Sequence, residues 1–506
     1  MKIIYSIVIL LSLSFTTFAQ DIIRGVVVDA ETKESLPYTN IILANAKKGT
    51  VSNADGKFNL SLKNIDTSDT LVFSYGGYET VKVVIDKLPR NCQIALKPNI
   101  VNLEEVEVTD KQENVKDIIA KIEDNFEKNY VVEAPYKEKL YIHNYGITEF
   151  DDDILDPMLV KKSSFEGLNQ ETFDELKRVL PKEFINYNDA QVMLYHKEDE
   201  AKLSNLQAIS LEESTASEAY DQLTEKFEGF VNDMESSFNN DEIYYRFKMG
   251  IISTKIRGDS TDTEDASDDF ERDSTSYTVG TKYIRGGINE LKKNYASLDN
   301  KNWEFVTKRG KYNYTLEGAS MMDDDVVYII TFKPKNGGLF FGKMYVSTET
   351  FAVLQIDFEY APNKEGRDIH LFGFGYTETF KKGRVLFEKS GDKYYVKYIN
   401  AEEHTTFSVE RSFALVKKQK RFFVDKTLNE IKIKFNIVAD SKETKELLVL
   451  DRKDITEQSY DMVEEEEKMK FQKIVTTQDY IWEHGTVIEP TQELKAYKRK
   501  EITENK

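Results

Sequence analysis

The sequence predicts an α+β protein dominated by antiparallel sheet: short strands at the amino end, then a larger region where a curved antiparallel sheet is joined by several helices. Three observations carry this. Tyr and Phe number 28 and 30 against 9 Pro and 2 Trp, a balance suited to half-buried pleated surfaces with few breaks. Within the first hundred residues, short apolar runs alternate with Asp- and Gly-containing turns at a regular beat. Between 301 and 440, one strand pattern follows another with short connectors. At 506 residues the chain can bury two or three cores.

The first residues carry Lys2, an apolar run over 7–13, and Thr17-Phe18-Ala19 before Gln20. That is the layout of a signal peptide over residues 1–19, with the mature chain expected to start at Gln20. The run is shorter than the roughly 20 residues a membrane-spanning helix needs, so no transmembrane span is expected in the mature chain. Cys92 is the only cysteine, which leaves no thiol at the cleavage point to be lipidated and no intramolecular disulfide. The formal charge is −20, and no basic stripe with interleaved aromatics offsets it, so nucleic acid is excluded as an expected partner.

Residues 22–28 read as a strand, Asp29-Ala30-Glu31-Thr32 as a turn, and 38–43 as a second strand after Leu36-Pro37. Asp55-Gly56 supplies the positive φ of a tight hairpin, and Phe58, Leu60 and Leu62 alternate inward after it. Strands over 71–75 and 80–85 flank Gly76-Gly77-Tyr78. Ser74-Tyr75-Gly76 is not a nucleophile elbow, because Val72 stands where the first glycine must be. Asp55 alone is explained by turn chemistry rather than by metal binding.

Four segments in order, Gly25-Val26-Val27-Val28-Asp29, Leu36-Pro37-Tyr38-Thr39-Asn40, Asn53-Ala54-Asp55-Gly56-Lys57-Phe58 and Phe73-Ser74-Tyr75-Gly76-Gly77-Tyr78, resemble the carboxypeptidase regulatory-like domain. The module is similar to the amino-terminal extension of TonB-dependent receptors and other exported Bacteroidetes proteins. The resemblance implies a seven-stranded, transthyretin-like β-sandwich without catalysis over residues 20–108.

Residues 109–114 are expected to be a linker. From Val115, apolar residues at 118, 119, 122 and 126 recur at helical spacing, with the helix ending at Asn129-Tyr130, a strand over 136–145, and a short helix over 172–180. Ser210-Leu211-Glu212-Glu213 reads as a capping box opening a helix whose apolar stripe runs from Tyr220 to Phe238. Residues 258–276 hold eight acidic residues among serines and threonines, the composition of a disordered acidic loop rather than a calcium site. The region 115–300 is thus expected to be mixed and largely helical, with a further helical stretch around 288–295.

Strands are expected at 303–307, 312–317, 326–333, 342–347, 353–360, 369–380, 394–399, 405–416 and 421–438, an antiparallel meander over 301–440, followed by a helical or irregular tail over 441–506. An outer-membrane barrel is disfavoured, since lipid-facing positions would have to accept Lys343, Glu359, Glu378 and Glu410. A bent sheet with helices across its mouth, a shape that holds apolar ligands, fits better. Residues 113–490 also resemble, in layout, the periplasmic portion of Bacteroidetes envelope proteins, through 125–130, Tyr314-Thr315-Leu316-Glu317-Gly318, 327–334, 342–347 and Tyr480-Ile481-Trp482.

No catalytic, cofactor-binding or metal-ligating residue is expected. Gly337-Gly338-Leu339-Phe340-Phe341-Gly342-Lys343 has the spacing of a phosphate loop, but Met344 replaces the hydroxyl residue and strands follow it. His143, His196, His370, His404 and His484 are scattered without ligand spacing, and Glu402-Glu403-His404 is expected at a strand edge. The expected function is a non-enzymatic exported envelope protein, periplasmic or outer-membrane associated, acting through an apolar ligand or an outer-membrane protein. The alternatives are a peptide or glycan hydrolase, favoured by a polar cleft with a perturbed His or carboxylate pair, and a partner of a TonB-dependent transporter.

Overall fold

A computed structural model describes residues 22–45, 48–62, 65–88, 91–99, 114–150, 159–179, 182–211, 234, 242–249, 252–256, 276–298, 302–322, 325–335, 337–474 and 488–491. The chain forms two compact units, one of Met1–Tyr75, Glu79–Pro98 and Gly485–Thr491, the other holding most of the rest.

In the first unit, β1 (Ile22–Asp29) pairs antiparallel with β4 (Lys57–Ser61) and parallel with β7 (Asn91–Leu96). A second sheet runs β3 (Gly49–Val51), β2 (Asn40–Leu43), β5 (Thr70–Ser74), β6 (Val81–Val84). The alternation read from the sequence is observed: Phe58 and Leu60 are buried, and Phe58 meets Phe73 edge to face at 5.6 Å. Asn53 builds the hairpin, its Oδ1 accepting from the Asp55 and Lys57 amides, while Gly56 takes φ +73°. The Asn53 amide nitrogen donates to the Glu489 carbonyl at 2.9 Å, and Ile488 is buried. A segment expected to be tail is therefore part of this unit, tied down by side-chain amides that a local reading cannot pair. Residues 100–113, which hold the expected end of the sandwich and all of its expected linker but Asn114, lie outside the described residues.

The second unit is built on one sheet of sixteen described strands, with the main order β14 (Ser276–Gly280), β23 (Lys468–Ile474), β11 (Glu200–Leu211), β10 (Glu183–Lys197), β8 (Tyr136–Phe150), β22 (Lys426–Asp454), β21 (Lys393–Gln419), β20 (Phe374–Ser390), β18 (Val353–Tyr360), β17 (Phe340–Ser347), β16 (Asp325–Pro334), β15 (Tyr312–Met322). A sheet this wide curls, and β14 and β15 stand at its two ends. The short strands β9 (Leu159–Ser163), β12 (Ile243–Met249) and β19 (Asp368–Leu371) join its long strands at their sides, and β13 (Ile252–Ile256) pairs with β12. The expected meander is present, with β15 to β18 and β20 to β22 pairing in sequence. Gly337, at φ +76°, turns β16 into β17, so the glycine-rich segment is a hairpin.

Helices α1 (Val115–Asp124), α2 (Phe126–Tyr130) and α3 (Gln170–Val179) fall on the expected helical stretches, and α4 (Thr281–Ala296) contains the one expected around 288–295 but begins ahead of it. Five expectations are corrected. The 115–300 region is more sheet than helix: β8, β10 and β11 carry 15, 15 and 12 residues and continue the same sheet as the meander. β8 extends the strand expected over 136–145, whereas in β10 and β11 polar residues on both faces hid the period-2 pattern. Ser210 and Leu211 end β11, so no helix starts there; the pairing of Ser210 with Asn188 and Lys473 outweighs the capping box. Of the residues expected to form that stripe only Met234, which is helical, is described, and the acidic loop up to 275 likewise lies outside the described residues.

The third correction is the 303–307 strand, which is a helical turn, α5 (Glu304–Thr307). A strand would send alternate residues to opposite faces, whereas the turn buries Trp303, Phe305 and Val306 together. The buried Glu304 carboxylate then accepts from the Tyr312 hydroxyl at 2.5 Å and the Leu339 amide at 2.9 Å. Finally, the 441–506 tail contributes the end of β22, α6 (Glu457–Asp461) and β23. Glu402-Glu403-His404 lies inside β21 with partners on both sides, not at an edge.

Candidate binding site

Helix α4 owes its seat to Thr281, Ile284, Ile288, Leu291 and Tyr295, one stripe at spacings of three and four. It lies across the strands: Arg285 donates to the Ala201 carbonyl of β11, Lys292 reaches Glu138 of β8 at 2.5 Å, and Tyr295 donates to Glu403 of β21 at 2.7 Å. Beneath it is a cleft of about 210 Å³. Ile142, Ala401 and Leu447 form the floor, Ile284, Ile288 and Leu291 the roof, and Asn144, Glu403, Glu443 and Lys445 its polar wall. Gly287 opens it, since a Cβ at that position would meet nothing within 4 Å. The volume is below the roughly 300–1,000 Å³ of a drug-sized pocket, which suits one slender apolar chain.

The aromatics of residues 312–360 pack against one another and against the α5 turn. Phe305 stacks on Phe332 at 4.4 Å, Phe340 meets Phe358 at 5.3 Å, and the Trp303 indole donates to the Tyr295 carbonyl. The α5 turn fills the space between them, making a packed core.

Beside the cleft, Tyr136, Glu138 and His196 meet Lys292, Arg452 and Tyr395. His196 stacks on Tyr136 at 4.5 Å, and Arg452 lies 3.3 Å from the centre of the Tyr395 ring. Burial raises the Glu138 pKa, but the Lys292 ammonium and the His196 bond outweigh it and hold it at about 2. Burial, reinforced by Lys292 and Arg452, pulls His196 below its ordinary value against the pull of Glu138.

The opposite face carries a row that no sequence reading grouped. Cross-strand register aligns Asp189, His143, Glu446, Asn400, Arg384, Asp357 and Lys343 on seven successive strands. These residues alternate along each strand with the cleft floor, as 142 with 143 and 446 with 447, so row and cleft are on opposite sides of one sheet. His143 Nδ1 is 2.6 Å from Asp189, Tyr187 donates to the same carboxylate at 2.6 Å, Tyr398 donates to Glu446, and Arg384 pairs with Asp357. Burial lowers the His143 pKa, but Asp189 and Glu446 overcome it and the net shift is upward. Burial and the Asp189 charge push Tyr141 and Tyr187 well above 10, so both remain donors. His143 sits between two carboxylates rather than between a carboxylate and a hydroxyl or thiol, so it is not set to activate a nucleophile.

His370 and His404 pair locally with Asp368 and Glu402, and His484 lies outside the described residues. Among the described residues, no group of three or more His, Cys, Asp or Glu side chains is arranged to hold a metal ion, and no helix is long and apolar enough to cross a membrane.

Three comparisons bear on kinship. No curated protein matches the chain. Among solved structures, similarity is found to MucB in complex with MucA(peri), at 6% identity over 65% of this chain and 94% of that one with a TM-score of 0.19. The Pseudomonas aeruginosa MucA/MucB complex matches at 7% over 65% and 92%, with a TM-score of 0.17. A Bacteroides fragilis NCTC 9343 protein of unknown function, described as membrane-associated, matches at 10% over 85% and 97%, with a TM-score of 0.12. Likenesses at these scores carry no argument. The model of the CarboxypepD_reg-like domain family matches residues 23–108, the stretch that holds both sheets of the first unit. The amino-terminal part of the chain is therefore a CarboxypepD_reg-like domain.

Proposed function

We propose that the chain is a non-enzymatic binding protein of the cell envelope, and that its larger unit holds the apolar part of an amphiphile in the cleft under α4. The observation that carries this is an aliphatic floor and roof, with the exposed Gly287 among the lining residues, beside a wall of Asn144, Glu403, Glu443 and Lys445. Apolar walls supply affinity, and a few polar groups at one side orient a headgroup. On the wall, Lys445 pairs with Glu443 at 2.8 Å; burial raises the Glu403 pKa, but Lys381 and the Tyr295 hydroxyl outweigh it and leave it lowered. The envelope location rests on the apolar run over 7–13 and the Thr17-Phe18-Ala19 site.

Gly287→Leu tests the reading, because the new side chain enters open space at a helical position and fills the cleft without a backbone clash. Wild type purified from its own envelope fraction is expected to carry a lipid-like molecule in native mass spectrometry and to bind a fluorescent fatty-acid probe. The leucine variant should fold as well and bind the probe at least about 10-fold more weakly, a loss of about 1.4 kcal/mol. Equal binding by the two proteins would sink the proposal.

A further inference from the structure

The hairpin joining β21 to β22 ends in Lys420-Arg421-Phe422-Phe423-Val424-Asp425. Its three apolar residues are the most exposed large hydrophobics among the described residues, at 94%, 91% and 79%. A hydrogen-bonded turn presents them: Asp425 accepts from the Tyr244 hydroxyl at 2.6 Å and from the Arg421 amide at 3.2 Å, and the Lys420 amide donates to the Glu242 carbonyl. The Phe422 and Phe423 rings meet edge to face at 4.9 Å. β20 pairs with β21 as far as Val409, β12 then flanks β21 from Phe413 to Gln419 and β9 flanks β22 from Ile431 to Lys434, so residues 420–425 lie past the last strand pairing on either side.

The charge at this tip runs against that of the chain. In a protein of net charge −20, residues 418–426 hold Lys418, Lys420, Arg421 and Lys426 against one carboxylate, Asp425, which is engaged in the turn. We propose that this tip docks onto a bilayer bearing anionic phospholipids, with Phe422, Phe423 and Val424 entering the acyl boundary and the cations meeting headgroup phosphates. Screening confines the interaction to charges within about 8 Å of the surface, so the local reversal decides rather than the net charge. A protein groove would take one side of a hairpin. Here all three apolar residues stand open at a turn rather than along one strand face, which suits a fluid interface. The inference is independent of the cleft.

The test is flotation of the full chain with phosphatidylcholine vesicles, with and without about a third phosphatidylglycerol, for wild type, Phe422→Ser/Phe423→Ser and Lys420→Glu/Arg421→Glu. Residues 1–20 are common to all three and cancel. The substituted side chains are exposed, so melting curves should superimpose. Wild type is expected to partition onto the anionic vesicles about 10-fold or more above either variant, less in high salt, and little onto phosphatidylcholine alone. Equal partitioning by wild type and the serine variant overturns the proposal. So does a wild-type dimer in sedimentation that the serine variant lacks while both float alike, which would make the tip an interface between copies.

Discussion

Asp189→Asn isolates the charged centre of the polar row. The wild-type carboxylate accepts one bond from Tyr187 and one from His143, each at 2.6 Å, and is 2% exposed. The amide keeps one acceptor oxygen and turns an NH₂ towards the other donor, so one charge-assisted bond worth about 1.5–3 kcal/mol is lost. The imidazolium also loses its main counter-charge, and the total near pH 6 is about 2–4 kcal/mol. The pH dependence carries the sharper signature. Folded His143 holds its proton more tightly than the unfolded chain, whose reference is 6.5. Its contribution is therefore fully present below 6.5 and lost as pH rises through the folded value, at about 1.4 kcal/mol per unit of upward shift. His196, with its lowered pKa, acts in the opposite sense: its contribution is present above 6.5 and lost as pH falls through the folded value. The variant-minus-wild-type difference cancels that term. Urea unfolding at pH 6 and pH 8 is the assay, and the variant should lose more at pH 6 than at pH 8. An equal loss at both would refute the claim that Asp189 holds the His143 proton.

Glu138→Gln leaves Lys292, only 18% exposed, without its carboxylate and should cost about 2–4 kcal/mol at neutral pH in urea melts. Because the Glu138 pKa is depressed to about 2, its contribution is present above the unfolded value of about 4.5 and lost as pH falls towards 2, so the variant's acid limb should be shallower there. Gly25→Ala places a Cβ 2.6 Å from the Cys92 carbonyl and 2.7 Å from the Phe58 ring, and should lower the sandwich's melting transition by a destabilisation of about 1–3 kcal/mol. Gly286→Ala, where a Cβ meets nothing within 4 Å inside α4, should stabilise by about 0.5–1 kcal/mol, read as a higher urea midpoint.

Much of the fold was legible locally. Asp55-Gly56 and Gly337-Gly338 mark hairpins because only particular residues take positive φ without cost. Helix α4 shows as a stripe at spacings of three and four because a core takes one face of a helix. The cleft was legible only as an expectation of concavity, without the residues that line it. The 303–307 segment fits a strand or a turn by composition alone, and the need to satisfy buried Glu304 decided for the turn.

By itself the sequence determined the sandwich module, the sheet-rich class, the hairpin turns and the helix stripes, each a short-range matter of φ preference and apolar period. Which strands lie side by side was decided only in the folded sheet. Asp189, His143, Glu446, Asn400, Arg384, Asp357 and Lys343 span more than 300 positions in sequence, and only register brings them into one row. Register depends on the summed pairing of whole strands, since a slip of one residue sends every side chain to the opposite face. The same alternation sets Ile142 and Leu447 under α4 while His143 and Glu446 face away, so cleft and polar row are two faces of a single tertiary choice.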